Sequence, residues 1–123
     1  MSTLNLSASD RERLESERNL WLATVRPNGS PHLVPIWFVW ANDKAYICTA
    51  ANSVKAKNIA QNPNVAFALE NGDDPILIEG TAAIIQELPA ELVEAFQRKF
   101  DWNIVGSETY NALIEITPRR IVL

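Results

Sequence analysis

Two predicted β-strands and the turn that joins them occupy residues 20–40, with the sequence LWLATVRPNGSPHLVPIWFVW. The first strand, residues 20–25, is short and apolar, and Arg-Pro-Asn-Gly follows it at residues 26–29. Proline and the Asn-Gly pair supply the backbone angles of tight turns, so the chain is expected to reverse here. The second strand, residues 32–40, is apolar on both alternating faces, which predicts that both faces are covered.

Pro35 limits where the second strand can lie in a sheet. Proline has no N–H group and cannot donate a hydrogen bond to a neighbouring strand. Three placements satisfy it: a sheet edge, a β-bulge, or a position beside a neighbour that is not a strand.

Strand patterns continue along the chain, and Gly80 indicates a bulge or sharp bend within one of them. The further predicted strands cover residues 44–49, 65–70, 76–86, and a last strand in two parts, 111–117 and 120–123, on either side of Pro118. Each of three short helices has a predicted start: Ser9 with Glu12 in a capping box, Asn52 or Ser53 before residues 53–61, and Pro89 in the first turn of residues 89–100.

Hairpins dominate this pattern, and no strand–helix–strand alternation is present. We therefore predict a mainly β fold with short helices, a six-stranded antiparallel barrel with helices at its openings. A single domain is expected over residues 1–123, with an N-terminal helical segment over residues 1–18.

The composition excludes several classes of protein. Of 123 residues, 47% are hydrophobic and 21% charged, which is typical of a globular domain and not of a disordered chain. Cys48 is the only cysteine and His32 the only histidine, which rules out a disulfide scaffold and argues against a zinc or iron–sulfur site. The net charge of -4 argues against a nucleic-acid partner. A free thiol, no secretory signal and no bilayer-length apolar run lead us to expect a cytoplasmic protein without a membrane partner.

One segment indicates an anion site, where a predicted strand ends and a predicted helix begins. A helix N-terminus presents free N–H groups and partial positive charge, so a lysine there is unfavourable unless an anion is bound. This helix start nevertheless carries Lys55 and Lys57. The hydroxyl groups of Thr49 and Ser53 can donate to phosphate oxygens. The alternative is a short surface helix that carries two lysines for no such reason.

An apolar, tryptophan-containing strand accompanies this anion site. Val34, Pro35, Ile36 and Trp37 can pack against a flat ring, and the free backbone groups beside Pro35 can bond its polar edge. A charged tail with a flat ring describes flavin mononucleotide (FMN). No catalytic residue is identified, since His32 begins a strand and Cys48 has the surroundings of an inert core thiol.

Taken in order, five short segments resemble those of the pyridoxamine 5'-phosphate oxidase-like flavoproteins, the FMN-binding split β-barrel family. The segments are LATVRPNGSPH at 22–32, VPIWF at 34–38, Thr49 with SVKAKNI at 53–59, NPNV at 62–65 and IEGTA at 78–82. The resemblance implies a homodimer with FMN in clefts between its subunits and hydride transfer through the flavin. It implies that the FMN phosphate and ribityl chain are held by Thr49, Ser53, Lys55 and Lys57. The flavin ring would meet Val34, Pro35, Ile36 and Trp37.

Residues 33–38, LVPIWF, lack the cations that the true oxidases of this family carry on the corresponding strand. The resemblance is therefore to the small, non-oxidase branch, in which the substrate is a small molecule not identified by the sequence. Two alternatives remain open: a reductase of the same fold that uses a deazaflavin coenzyme, and a non-catalytic module that binds flavin or haem.

Overall fold

Alternating apolar residues form one antiparallel sheet, and three short helices pack against it. The structure, a computed structural model, describes residues 4–122. The strands are β1 (Asn19–Val25), β2 (Pro31–Trp37), β3 (Val39–Ala41), β4 (Lys44–Thr49), β5 (Asn64–Leu69), β6 (Leu77–Ile85) and β7 (Ala112–Ile121). The helices are α1 (Ala8–Ser16), α2 (Val54–Gln61) and α3 (Ala90–Phe100). The strand order is β2-β1-β5-β6-β7-β4-β3, and the sheet curls until β2 contacts β4.

The strand predicted over residues 32–40 is two strands, which is why the sheet has seven strands and not the predicted six. Phe38 separates β2 from β3, and its side chain is fully buried. Its N–H donates to the carbonyl of Arg18 at 3.2 Å, and its own carbonyl accepts from Lys99 Nζ at 2.8 Å. Phe38 is therefore the point at which the chain leaves one end of the sheet and joins the other.

β2 is an edge strand that pairs only with β1, as the missing N–H of Pro35 allows. The expectation that both its faces are covered is wrong for a single chain. Leu33 on this outward face is 59% exposed, and Trp37 is still 41% exposed although its ring stacks on Phe100.

Two apolar clusters lie on opposite faces of β4, as the alternation of a strand requires. Ala45 and Ile47 belong to the barrel interior, together with Leu14 of α1 and Ile59 of α2. On the other face, the second cluster contains Cys48 and the buried side of α3. The amphipathic helix α3 is therefore outside the barrel, where it lies against β3 and shares a cluster with residues of β4 and β7.

Some predicted element starts are corrected by the structure. The capping box of α1 pairs Ser7 with Asp10, not Ser9 with Glu12. Ser53, one of the two predicted caps, is the N-cap of α2. Pro89 is the N-cap residue of α3 and not part of its first turn.

The interruption predicted at Pro118 is wrong, since β7 continues through it. Pro118 pairs with Gly80 where the register of β6 shifts, and an irregular ladder tolerates a residue that cannot donate. The last predicted residue, Leu123, lies outside the described residues, as do residues 1–3 of the N-terminal segment.

We predict that Gly80→Ala lowers the free energy of unfolding by about 2–3 kcal/mol. A Cβ at Gly80 would collide with the backbone carbonyl of Thr117, which cannot move without breaking the β6–β7 ladder. Gly72→Ala is the matched control, because a Cβ there has open space, and its effect should stay within about 0.5 kcal/mol. Equal effects of the two variants in urea unfolding would contradict the close β6–β7 approach.

A second prediction concerns Lys99. Burial, helped by the positive charge of Arg18, lowers the pKa of Lys99 to about 8. An unfolded lysine titrates near its ordinary value of about 10.4, so the unfolded chain binds more protons between these values. The contribution of Lys99 to stability should therefore rise as the pH increases from about 8 to about 10.

The measurement is urea unfolding of wild type and Lys99→Met across this pH range. Because Cys48 and Tyr46 have raised pKa values that act in the opposite direction, only the difference between the two proteins isolates Lys99. The free energy of unfolding of wild type minus that of Lys99→Met should increase with rising pH. A pH-independent difference would show that Lys99 titrates normally.

Candidate functional site

A cleft of about 610 Å³ lies between the edge strand β2 and the segment that follows α3. This volume is typical of small-molecule sites. The residues that shape it include Pro35, Ile36, Trp37, Cys48, Trp102 and Tyr110. Three of the predicted ring-contacting residues are therefore together in one cleft, whereas Val34 is half-buried on β2 and does not line it.

Aromatic side chains form a continuous wall in this cleft. The ring of Trp37 stacks on that of Phe100, with centroids 4.5 Å apart and planes 9° from parallel. Trp102 meets Trp37 edge-on at 6.2 Å and Tyr110 at 5.4 Å. The guanidinium of Arg18 lies 5.1 Å from the centre of the Trp37 ring, which adds a cation–π contact. These contacts pack the aromatic side chains of the wall against one another.

Cys48 lies on the cleft wall without the properties of a nucleophile. Its thiol is buried and donates a hydrogen bond to the carbonyl of Tyr110 at 3.7 Å. Burial raises its pKa to about 11, so the thiolate is scarce at neutral pH. The prediction of an inert core thiol agrees with this environment.

The start of α2 has the features expected of an anion site. The Ser53 hydroxyl accepts from the N–H of Ala56 at 3.2 Å, and the first turn contains no acidic residue. Among residues 4–122, the N–H groups of Asn52, Val54 and Lys55 have no acceptor. Such free groups at a helix start attract anions.

Two cations accompany these N–H groups. Lys57 is exposed, and Lys55 is half-buried, with a pKa that burial lowers. Neither forms an ion pair with another side chain in the described part of the protein. Thr49, also predicted to bind phosphate, is only 2% exposed at the end of β4. It supports the loop from within, and its contact with a ligand stays a prediction.

Side-chain hydrogen bonds hold this loop and helix in place. The side-chain oxygen Oδ1 of Asn111 accepts from the backbone N–H of Ala51 at 2.9 Å. Buried Asn58 of α2 donates to the hydroxyl of Thr24 on β1 at 3.0 Å. The loop is thus fixed to the start of β7, and the helix to the sheet.

The cleft and the anion-attracting loop are joined by neighbouring residues at the end of β4 and just before β7. Cys48 and Tyr110 line the cleft, and the next residues, Thr49 and Asn111, begin and fasten the loop. The sequence located the junction between β4 and α2 because its residues are contiguous, and phosphate binding at this loop stays a prediction. It missed the contribution of Phe100 and Tyr110, whose only sequence signal is the frequency of aromatic residues between 96 and 110.

Other candidate chemistry is sparse in the described chain. His32 is half-buried on β2, and its Nδ1 is buried without a hydrogen-bond partner. No cluster of three potential metal ligands occurs among residues 4–122. No helix in that range is long and apolar enough to cross a membrane.

Comparison with solved structures shows a shared fold. General stress protein 26 from Bacillus anthracis is 29% identical, with 88% of this chain and 84% of that chain covered and a TM-score of 0.67. A protein named F420 reductase is 22% identical over 92% and 95% of the two chains, with a TM-score of 0.74. HutZ, a heme storage protein from Vibrio cholerae, is 19% identical over 91% and 89%, with a TM-score of 0.75. The last two similarities concern the fold alone.

A comparison with curated proteins gave no match. The family model described as pyridoxamine 5'-phosphate oxidase matches residues 6–122, nearly the whole chain. Its match and the split-barrel neighbours agree with the antiparallel sheet seen here. The chain therefore belongs to the pyridoxamine 5'-phosphate oxidase family.

Proposed function

We propose that this protein is a cytoplasmic FMN-binding oxidoreductase that transfers hydride or electrons to a small substrate and acts as a homodimer. The observation that carries the proposal is the adjacency of an aromatic cleft and a loop with free N–H groups and two lysines. A flat ring with a phosphate tail has the matching shape and charge.

The residues present fit the two ends of FMN. Pro35, Ile36 and Trp37 offer an apolar wall to its ring, while Ser53, Lys55 and Lys57 would hold its phosphate. Bound FMN supplies two-electron redox chemistry, and the protein supplies binding, orientation and exclusion of water. The hydrogen bond between Asn111 and Ala51 holds the loop before α2, which would bind the phosphate, next to the segment that contains Tyr110.

The two alternatives lead to distinct outcomes in the same binding assay. A deazaflavin coenzyme also combines a flat ring with a phosphate, and a structural neighbour bears the name F420 reductase. Haem binding would need His32, the only histidine, as its axial ligand. Competition between FMN and the deazaflavin coenzyme shows which of the two the protein prefers. Haem binding that is abolished in His32→Ala would identify the haem-binding module instead.

We predict that FMN binds the purified protein and raises its unfolding temperature. Lys55→Ala with Lys57→Ala should weaken FMN binding by about 2–3 kcal/mol, through loss of charge-assisted hydrogen bonds. Riboflavin lacks the phosphate, so its affinity should be unchanged. Calorimetric titration of both flavins into both proteins measures this.

Arg98→Ala with Arg120→Ala is the control, because it removes two cations from other parts of the surface. It should leave FMN affinity unchanged. Failure of FMN to bind or stabilise wild type would refute the proposed function. Equal losses for FMN and riboflavin in the lysine variant would show that the phosphate is bound elsewhere.

The homodimer is proposed from the outward face of β1 and β2. Trp21 and Leu33 are 40% and 59% exposed, and the register aligns Trp21 with Pro35 and Ala23 with Leu33. Adjacent strands thus present one continuous apolar surface, of the kind that protein partners cover. A second copy of the chain would bury it.

We predict a dimer at micromolar concentration and a shift to monomer in Leu33→Glu, because that substitution places a charge in the proposed interface. The Leu33 side chain points away from the core, so the monomer should fold. Val105→Glu is the matched control, since Val105 is 56% exposed elsewhere and should leave the dimer intact. Sedimentation equilibrium provides the measurement, and a monomeric wild type would refute the dimer.

A further inference from the structure

Two asparagines of this chain, Asn28 and Asn71, are each followed directly by glycine. The backbone nitrogen after an asparagine can attack the side-chain carbonyl carbon Cγ and close a five-membered ring. Glycine makes this attack easiest, because it has no Cβ to obstruct the approach and has the widest choice of backbone angles. Sequence alone does not distinguish the two pairs, so a difference in their reactivity has to come from the fold.

The pair at Asn28 belongs to the tight turn between β1 and β2. The attacking group there is already engaged, since the N–H of Gly29 donates to the carbonyl of Arg26 at 2.8 Å. The side-chain oxygen of Asn28 accepts from the N–H and the hydroxyl of Ser30, at 3.0 and 2.7 Å. Gly29 also has a φ of +87°, which the turn requires. Closing a ring here would therefore break the hydrogen bond of the turn.

The pair at Asn71 lies in the exposed loop between β5 and β6. Within residues 4–122, the N–H of Gly72 has no hydrogen-bond acceptor, and a Cβ placed on Gly72 would meet open space. The N–H of Asp73 donates to Oδ1 of Asn71 at 2.9 Å. A donor at this oxygen stabilises the negative charge that develops on it during attack at Cγ. Both asparagines have such a donor, so the free N–H of Gly72 is what sets this pair apart.

The ends of this loop are fixed, whereas its centre is not. The N–H of Leu69 donates to the carbonyl of Ile76 at 3.1 Å, which closes the loop. Asp74 forms an ion pair with Arg13 of α1 at 3.3 Å. Neither contact involves the Asn-Gly pair. The pair can therefore rotate into a ring while both contacts stay in place.

We propose that Asn71 is a site of spontaneous modification, at which the folded protein loses ammonia and becomes aspartate and isoaspartate. The backbone nitrogen of Gly72 gives its proton to hydroxide and bonds to Cγ of Asn71, and the side-chain amide nitrogen leaves as ammonia. Water then opens the cyclic imide at either of its two carbonyl carbons, which gives aspartate or isoaspartate, and no electron is transferred. Each conversion adds one negative charge beside Asp73 and Asp74.

The experiment follows both asparagines in the same sample of full-length protein. The protein is incubated at mildly alkaline pH, and peptide mapping by mass spectrometry measures the conversion of each residue over time. Asn71 should react at least about tenfold faster than Asn28, because the turn at Asn28 must first give up a hydrogen bond. In protein unfolded with guanidinium chloride, the two rates should agree within about threefold, since these hydrogen bonds are then absent.

Gly72→Ala is the matched variant, because the added Cβ has open space in the folded protein but obstructs ring closure. It should slow the reaction at Asn71 at least about tenfold and leave the rate at Asn28 unchanged. The wild-type rate at Asn71 should rise with pH, because the attacking nitrogen has to lose a proton. Isoaspartate should appear together with aspartate, since only the cyclic imide gives both products.

Equal rates at the two asparagines of the folded protein, or a faster reaction at Asn28, would overturn the inference. Conversion of Asn71 that occurs only after unfolding would overturn it too, and so would an unchanged rate in Gly72→Ala. A product that is aspartate alone would show direct hydrolysis without the ring. Flavin has no part in these measurements, so a protein that fails to bind FMN would refute the proposed function and leave this site unaffected.

Discussion

The hydrogen bond from Lys99 to the carbonyl of Phe38 connects the two features that shape the site, the break between β2 and β3 and the end of α3. Phe38 is the one residue between β2 and β3, where the chain passes from one end of the sheet to the other. Its buried ring resists displacement, and its N–H is bound to Arg18. The contact therefore keeps β2 near β4 while leaving it unpaired there. The opening between these strands is where the cleft forms.

The same contact positions the aromatic wall. Lys99 is in the last turn of α3, and the next residues are Phe100, Asp101 and Trp102. Burying an ammonium group is costly, but the hydrogen bond and the ring of Phe38 offset that cost. Because Phe100 directly follows Lys99, these contacts also place the ring of Phe100 where it stacks on Trp37. Lys99 thus contacts both the break between β2 and β3 and the end of α3 that carries the cleft wall.

Local patterns in the sequence account for much of the fold and for half of the candidate site. Ser53 as helix cap and Gly80 as bulge follow from chemistry within a few residues, and both are confirmed. The break at Phe38 has no glycine or proline to mark it in the sequence, and the contacts made there, with Arg18 and Lys99, are both long-range. The cleft could be only partly predicted from the sequence for the same reason. Trp37 and Trp102 are far apart in sequence and meet only through packing.

The different charges of the loop and the cleft would favour one orientation of a bound ligand. Lys55 and Lys57 lie at the start of α2 beside backbone N–H groups that have no acceptor, whereas Asp101 is the charged residue among the described residues that line the cleft. A molecule with an anionic tail and an uncharged ring gains from the lysines in only one orientation, since the reverse would bring its tail to a carboxylate. The apolar wall would add affinity without selecting an orientation of the ligand, because stacking contacts are nearly the same when a flat ring is turned by about 180°. The net charge of -4 conceals this arrangement, so orientation follows from where the few cations lie and not from their number.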